Sequence, residues 1–236
     1  MKNSNLGVQQ TVHGPEHAGR LIEALQQALH GNGNLDLDIL ALAAGLHQAG
    51  HMEAALRAAE LATQQHPENL AAWHALAAAS MALKLPRKAL QACNRALALD
   101  TENPDSLFNT GAVLRALGDL PAALHCYEKA ISLDHTHYGA LRNRPLVLAE
   151  MNRGEEARLA MADALGMYPG DAWLRFNAGE LSMAFGEAAA AVDAYEKALA
   201  IDPALHPARH ALTAALAALA DNPGGAGQAP ANAARN

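Results

Sequence analysis

Aromatic residues are scarce in this chain: three Phe, four Tyr and two Trp in 236 residues. With so few rings the core has to be built from Ala and Leu, which requires helices packed close together. Cysteine is nearly absent. Cys93 and Cys126 form no metal or redox spacing, so both are expected to act as small buried hydrophobes. Blocks of Lys and Arg are missing, and 17 basic residues face 24 acidic ones, for a formal net charge of −7 and a pI near 5.9. A nucleic-acid partner is therefore not expected. No apolar run approaches the length of a membrane span, so no membrane role is expected. The opening MKNSNLGVQQTVHG lacks the apolar stretch of a secretory signal, and a cytoplasmic location is the expectation. Catalytic signatures are also wanting: there is no G-x-S-x-G, no Walker loop and no dinucleotide fingerprint. Gly31-Asn32-Gly33 follows a helical stretch and reads as a stop signal. Of twelve His, His135 and His137 lie two apart in a loop and His125 on the nearby helix. No Cys or carboxylate joins them at a ligand spacing, so no metal and no cofactor is expected, and the chain does not read as an enzyme.

Alanine, by contrast, is abundant, and some of it is periodic. The stretch Pro104 to His137 contains two apolar-periodic runs, Ser106–Leu117 and Pro121–Leu133, around a Gly118-Asp119 turn. With Pro104 as position 1, small residues fall at positions 8, 20 and 27 (Gly111, Ala123, Ala130) and a bulky ring at position 24 (Tyr127). That is a helix–turn–helix hairpin which cannot bury its apolar side alone. The pattern returns at a fixed period, the length of the stretch Pro104–His137 itself. Position 20 is Ala55, Ala89, Ala123, Ala157 and Ala191; position 27 is Ala62, Ala96, Ala130, Ala164 and Ala198. Position 24 runs Ala59, Cys93, Tyr127, Met161, Tyr195, and position 32 is Pro67, Pro169 and Pro203 in three repeats, where a proline ends the helix.

On these residues the chain resembles the tetratricopeptide-repeat family. The family pattern of a small residue at 8, Ala at 20, an aromatic at 24, Ala at 27 and Pro at 32 is best met by Gly179, Ala191, Tyr195, Ala198 and Pro203. The match runs from Asp36 to His206 without an insertion. Departures are a Trp at position 4 only as Trp73, and Pro145 at position 8 of the fourth repeat. That proline is expected to kink or shorten the first helix there. The resemblance implies an all-α, right-handed α-solenoid of five helix hairpins with helical caps at both ends and one continuous core.

The expected organisation is a mobile N-terminus over residues 1–14, a capping helix within 15–35 and five repeats over 36–205. The repeats divide as 36–69, 70–103, 104–137, 138–171 and 172–205. A C-terminal capping helix over 206–221 and a Gly/Pro/Ala/Asn-rich tail over 222–236 follow.

Stacked hairpins place the first helix of each pair on the inner wall, which draws on positions 2, 5, 6, 9, 12 and 13. Position 6 reads Ala41, Ala75, Asn109, Asn143, Asn177. Asn is a poor helix-interior residue, yet its amide both donates and accepts hydrogen bonds. In peptide-binding members of the family, and in the superhelix of the O-linked N-acetylglucosamine transferases, Asn at this position holds a partner's backbone. The resemblance thus implies that Asn109, Asn143 and Asn177 hold an extended peptide; the alternative is that they only solvate the groove. Phe108 and Phe176 are candidates to receive apolar side chains, Arg115 and Arg142 to pair with acidic ones, and Glu180 lies on the same wall. The chaperone-binding branch of the family clamps a terminal carboxylate with Lys at position 5 and Asn at position 9 of its first repeat. Here those positions are Leu40 and Ala44, so that clamp is absent. The function implied is a protein-binding scaffold or adaptor whose partner is another protein or a peptide. The alternatives are the recruiting arm of a bacterial glycosyltransferase or other enzyme, and a self-assembly module that dimerises through the C-terminal helix.

Overall fold

The structure, a computed structural model, describes residues 39–221 together with Arg20 and Glu23, which are helical. The segments 1–14, 15–35 and 222–236 named above lie outside the described residues, apart from those two positions. Eleven α-helices and no strand occur among the described residues. They are α1 (Ile39–Gln48), α2 (Met52–Gln65), α3 (Leu70–Ala82), α4 (Pro86–Leu99), α5 (Pro104–Leu117) and α6 (Leu120–Leu133). Then come α7 (Tyr138–Glu150), α8 (Gly154–Met167), α9 (Ala172–Ala184), α10 (Ala188–Ile201) and α11 (His206–Asp221). The fold class is an all-α helical solenoid.

Two devices recur with the repeat and punctuate these helices. Position 15 has a positive φ in all five repeats: Gly50, Lys84, Gly118, Asn152 and Gly186. A left-handed residue here lets the following N–H turn back on the helix. His51 N donates to Leu46 O, Leu85 N to Ser80 O, Arg153 N to Leu148 O and Glu187 N to Ser182 O, ending α1, α3, α7 and α9 alike. Position 34 supplies a side chain that accepts from the next helix's first free N–H groups. Asn69 caps α3, Asn103 caps α5, His137 caps α7 through Nδ1, and Asp171 caps α9 at 2.7 Å. The fifth such residue is Leu205, which is buried instead.

Contacts divide the chain into two compact units between Leu117 and Gly118. Each unit is described by itself. In the first unit α1 pairs with α2, α3 with α4, and α5 packs on α4 and α3. Its core is Leu42, Leu46, Ala58, Ala89 and Cys93, extended by Val113 of α5. In the second unit α7 pairs with α8 and α9 with α10, while α6 packs on α7 and α11 on α10. Here α7 packs on α9 and α9 on α11, whereas α8 and α10 meet more loosely, through Arg158 and the Glu187 that precedes α10. The first helices therefore form the tighter side of this unit.

All ten Ala at positions 20 and 27 are 2% exposed or less. A methyl group is the largest side chain that lets two helices approach this closely. Positions 8 and 24 vary together: Gly111 and Gly179 accompany Tyr127 and Tyr195, while Ala43, Ala77 and Pro145 accompany Ala59, Cys93 and Met161. In the last hairpin the reason is visible, because a methyl on Gly179 would stand 2.4 Å from Tyr195 Cε1.

The expected shortening at Pro145 does not occur. Helix α7 runs unbroken through it for 13 residues, as long as α3 and α9. The proline forgoes one backbone hydrogen bond, but its ring is fully buried, so packing of the hairpin offsets the local penalty.

Candidate functional site

The inner wall of the second unit is built on α7, α9 and α11. Arg142 follows one turn after Tyr138 on α7, and Trp173, Phe176, Asn177 and Glu180 climb one face of α9 at helical spacings of three and four. The guanidinium of Arg142 lies over the Trp173 indole, 5.9 Å from its centroid. Trp173 meets Phe176 edge-on with centroids 5.7 Å apart, and Phe176 meets Tyr195 of α10 at 5.8 Å. Tyr195 OH then donates to Glu180 Oε1 at 2.5 Å. The result is one connected row that starts with a cation, passes over three rings and ends on a carboxylate. Burial, and then the Glu180 carboxylate, push the Tyr195 phenol far above its ordinary pKa, so it stays a donor. At the other end burial, and then a hydrogen bond with Asp171, raise Tyr138, whose ring meets Tyr168 edge-on at 5.2 Å. Trp173 is 43% exposed, so part of the indole remains accessible beside Arg142.

The eight residues expected to bind a partner fall in both units. Phe108, Asn109 and Arg115 are half-buried on α5 of the first unit. Arg142 and Asn143 on α7, and Phe176, Asn177 and Glu180 on α9, belong to the second. Two have local engagements that no pattern announced, and a third has an unpartnered group. Asn143 Nδ2 donates to Gly139 O at 2.8 Å, which commits one amide hydrogen to its own helix. Glu180 accepts from Tyr195 and so fastens α9 to α10. Asn177 is 7% exposed, and its Nδ2 has no hydrogen-bond partner. The sequence reading named Arg142 but not its pairing with Trp173. Arg142 holds position 5 of one repeat and Trp173 position 2 of the next.

In the first unit the cation–ring pair lies within one hairpin, between α3 and α4. Arg95 lies over Trp73 at 5.6 Å, Trp73 Nε1 donates to Pro67 O at 2.8 Å, and His74 Nε2 lies 2.7 Å from Ser106 Oγ. Burial lowers the His74 pKa, and the charge of Asp105 partly opposes this. Cys93 is buried; Cys126 is half-buried, with its thiol pushed up chiefly by burial. Among the described residues no three His, Cys, Asp or Glu stand close enough to hold a metal ion, and no helix is long and apolar enough to cross a membrane.

Comparison with known proteins agrees with this architecture. The tetratricopeptide-repeat family description matches residues 104–137 and again 174–205. The chain is a tetratricopeptide-repeat protein. Among solved structures it is similar to TTC0263, a thermophilic repeat protein of Thermus thermophilus. That similarity is 24% identity over 76% of this chain and 98% of that one, with a TM-score of 0.69. It is similar to YrrB, described as a TPR protein with an unusual peptide-binding site, at 23% identity over 81% and 99%, TM-score 0.55. It is also similar to PilW, a widely conserved type IV pilus biogenesis factor, at 20% identity over 78% and 91%, TM-score 0.67. Likeness at this level establishes the fold. No curated protein matches the sequence.

Proposed function

We propose that this chain is a non-catalytic scaffold that binds an extended segment of another protein along the first helices of its repeats. Tetratricopeptide repeats support a protein-interaction role in general. The observation that carries the finer reading is Asn177. An amide withdrawn from water without a partner is held at a cost of about 1–3 kcal/mol, and a ligand carbonyl that reaches it removes that cost. Exposed Trp173 and half-buried Phe176 beside it offer apolar surface to the same ligand. Asn109 and Asn143 hold the same phase on their own helices and are proposed to act likewise. That a solved neighbour is described as having a peptide-binding site supports the reading by analogy. The protein is proposed to act in the cytoplasm.

The test is selection of peptides from a displayed random library on the full chain, followed by affinity measurement on variants. A neutral hydrogen bond contributes about 0.5–1.5 kcal/mol, so Asn109→Ala, Asn143→Ala and Asn177→Ala are each expected to weaken binding several-fold. Folding is expected to hold, since Ala already occupies the same phase as Ala41 and Ala75. Unchanged affinity in all three variants would place binding on another surface.

A further inference from the structure

We propose that the second unit reads a carboxylate side chain of its bound peptide with Arg142 and an apolar side chain two residues away with Trp173. This rests on the peptide-binding reading above and adds the chemistry of the partner.

Every other arginine of this unit among the described residues has an oxygen acceptor. Arg144 pairs with Asp163, Arg153 with Glu156, and Arg158 with Glu155 and Glu187. Arg175 donates to Pro169 O and Arg209 to Pro203 O. Arg142 has none: its guanidinium lies over the Trp173 ring, its charge acts on Tyr138, and its Nε, like those of Arg144 and Arg175, is buried without a partner. In a chain of net charge −7, a half-buried cation with no carboxylate beside it is a local exception. A guanidinium held over a ring keeps terminal N–H groups that can donate to a carboxylate.

Trp173 supplies the spacing. Side chains on the same side of an extended peptide are about 6.6 Å apart, two residues on. The Arg142 guanidinium and the Trp173 ring centre are 5.9 Å apart. An Asp or Glu seated on Arg142 brings the side chain two residues away to the part of the indole that the guanidinium leaves exposed. Apolar groups are favoured there because the ring is already 43% exposed and gains by being covered. Charge complementarity selects an acidic partner segment, and the ring selects its neighbour.

The experiment is the displayed-library selection on the full chain, run in parallel on Arg142→Gln, Arg142→Lys and Trp173→Ala. The wild type is expected to enrich Asp or Glu two positions from Leu, Ile, Met or an aromatic residue. Arg142→Gln loses the acidic preference, Arg142→Lys keeps part of it, and Trp173→Ala loses only the apolar one. For a selected peptide, replacing its acid by the amide weakens binding about ten- to a hundredfold, and raising the salt narrows that gap. Peptides that bind and depend on Asn177 but show no acidic preference would overturn this inference and leave the peptide-binding reading standing. An acidic preference undiminished in Arg142→Gln would likewise overturn it. Failure to select any peptide would overturn both.

Discussion

Gly179→Ala tests the packing of the last hairpin most directly. An added methyl would stand 2.4, 2.6 and 2.8 Å from three atoms of the Tyr195 ring. The ring cannot step aside: it is 1% exposed, set against Phe176 at a tilt of 39°, and tied by its hydroxyl to Glu180. Overpacking of this kind costs about 1–3 kcal/mol, and the upper end applies here. Against it stands the gain of about 1 kcal/mol from replacing Gly by Ala inside a helix. The net expectation is a loss of about 2 kcal/mol, or roughly 4–8 °C in Tm for a chain of this size, followed by far-UV circular dichroism on heating. Tyr195→Cys alone empties the site and is expected to lose about 3–5 kcal/mol. Together the two changes restore the residue types that the second repeat already uses, Ala77 and Cys93. The double variant should therefore lose less than the sum of the singles, by about 1–3 kcal/mol. A Tm that rises in Gly179→Ala, as helix propensity alone would dictate, or strict additivity in the pair, would refute the small–large complementarity.

Two further predictions follow from the repeat's punctuation and its buried histidine. Lys84 holds φ at 57°, a conformation that disfavours a side-chain-bearing residue by about 1–2 kcal/mol, so Lys84→Gly should raise stability by about 1 kcal/mol in urea unfolding despite the entropy glycine adds to the unfolded chain. His74 has a folded-state pKa below its ordinary 6.5, so the unfolded chain takes up its proton first; stability should fall on acidification below about pH 6.5, and His74→Gln should flatten that part of the profile relative to wild type, with an identical slope refuting the assignment.

The fold was legible because close packing leaves a trace in composition. A helix pair that admits only a methyl at two fixed places writes Ala there once per repeat, and those ten methyls are buried. The shortening expected at Pro145 does not occur, because local propensity says nothing of what the hairpin gains by burying the ring. The division between Leu117 and Gly118 leaves no compositional mark, since the repeat runs through it unchanged. The wall was legible as a set of positions but not as a set of interactions. Whether an Asn amide points at its own helix, as Asn143 does, or sits unpartnered, as Asn177 does, depends on rotamers and neighbours that no spacing encodes. Arg142 and Trp173 belong to successive repeats and are distant in sequence, and their pairing emerges only from how one hairpin registers against the next.

The left-handed residue at the end of each first helix and the polar cap at the start of the next work as paired stops, and both keep the same phase whatever side chains occupy them. Such a chain has a length quantum. Gain or loss of one whole repeat returns every stop to its place, whereas a change of any other size puts a left-handed turn inside a helix or a cap inside a core. Evolution can therefore lengthen or shorten this protein by copying and excising whole repeats, with single-residue insertions confined to the few turn residues between stops. Leu205, buried where the earlier repeats have a polar cap, marks where such copying would meet resistance. A further repeat joined there would inherit a first helix whose start is fastened by packing instead of by a hydrogen bond.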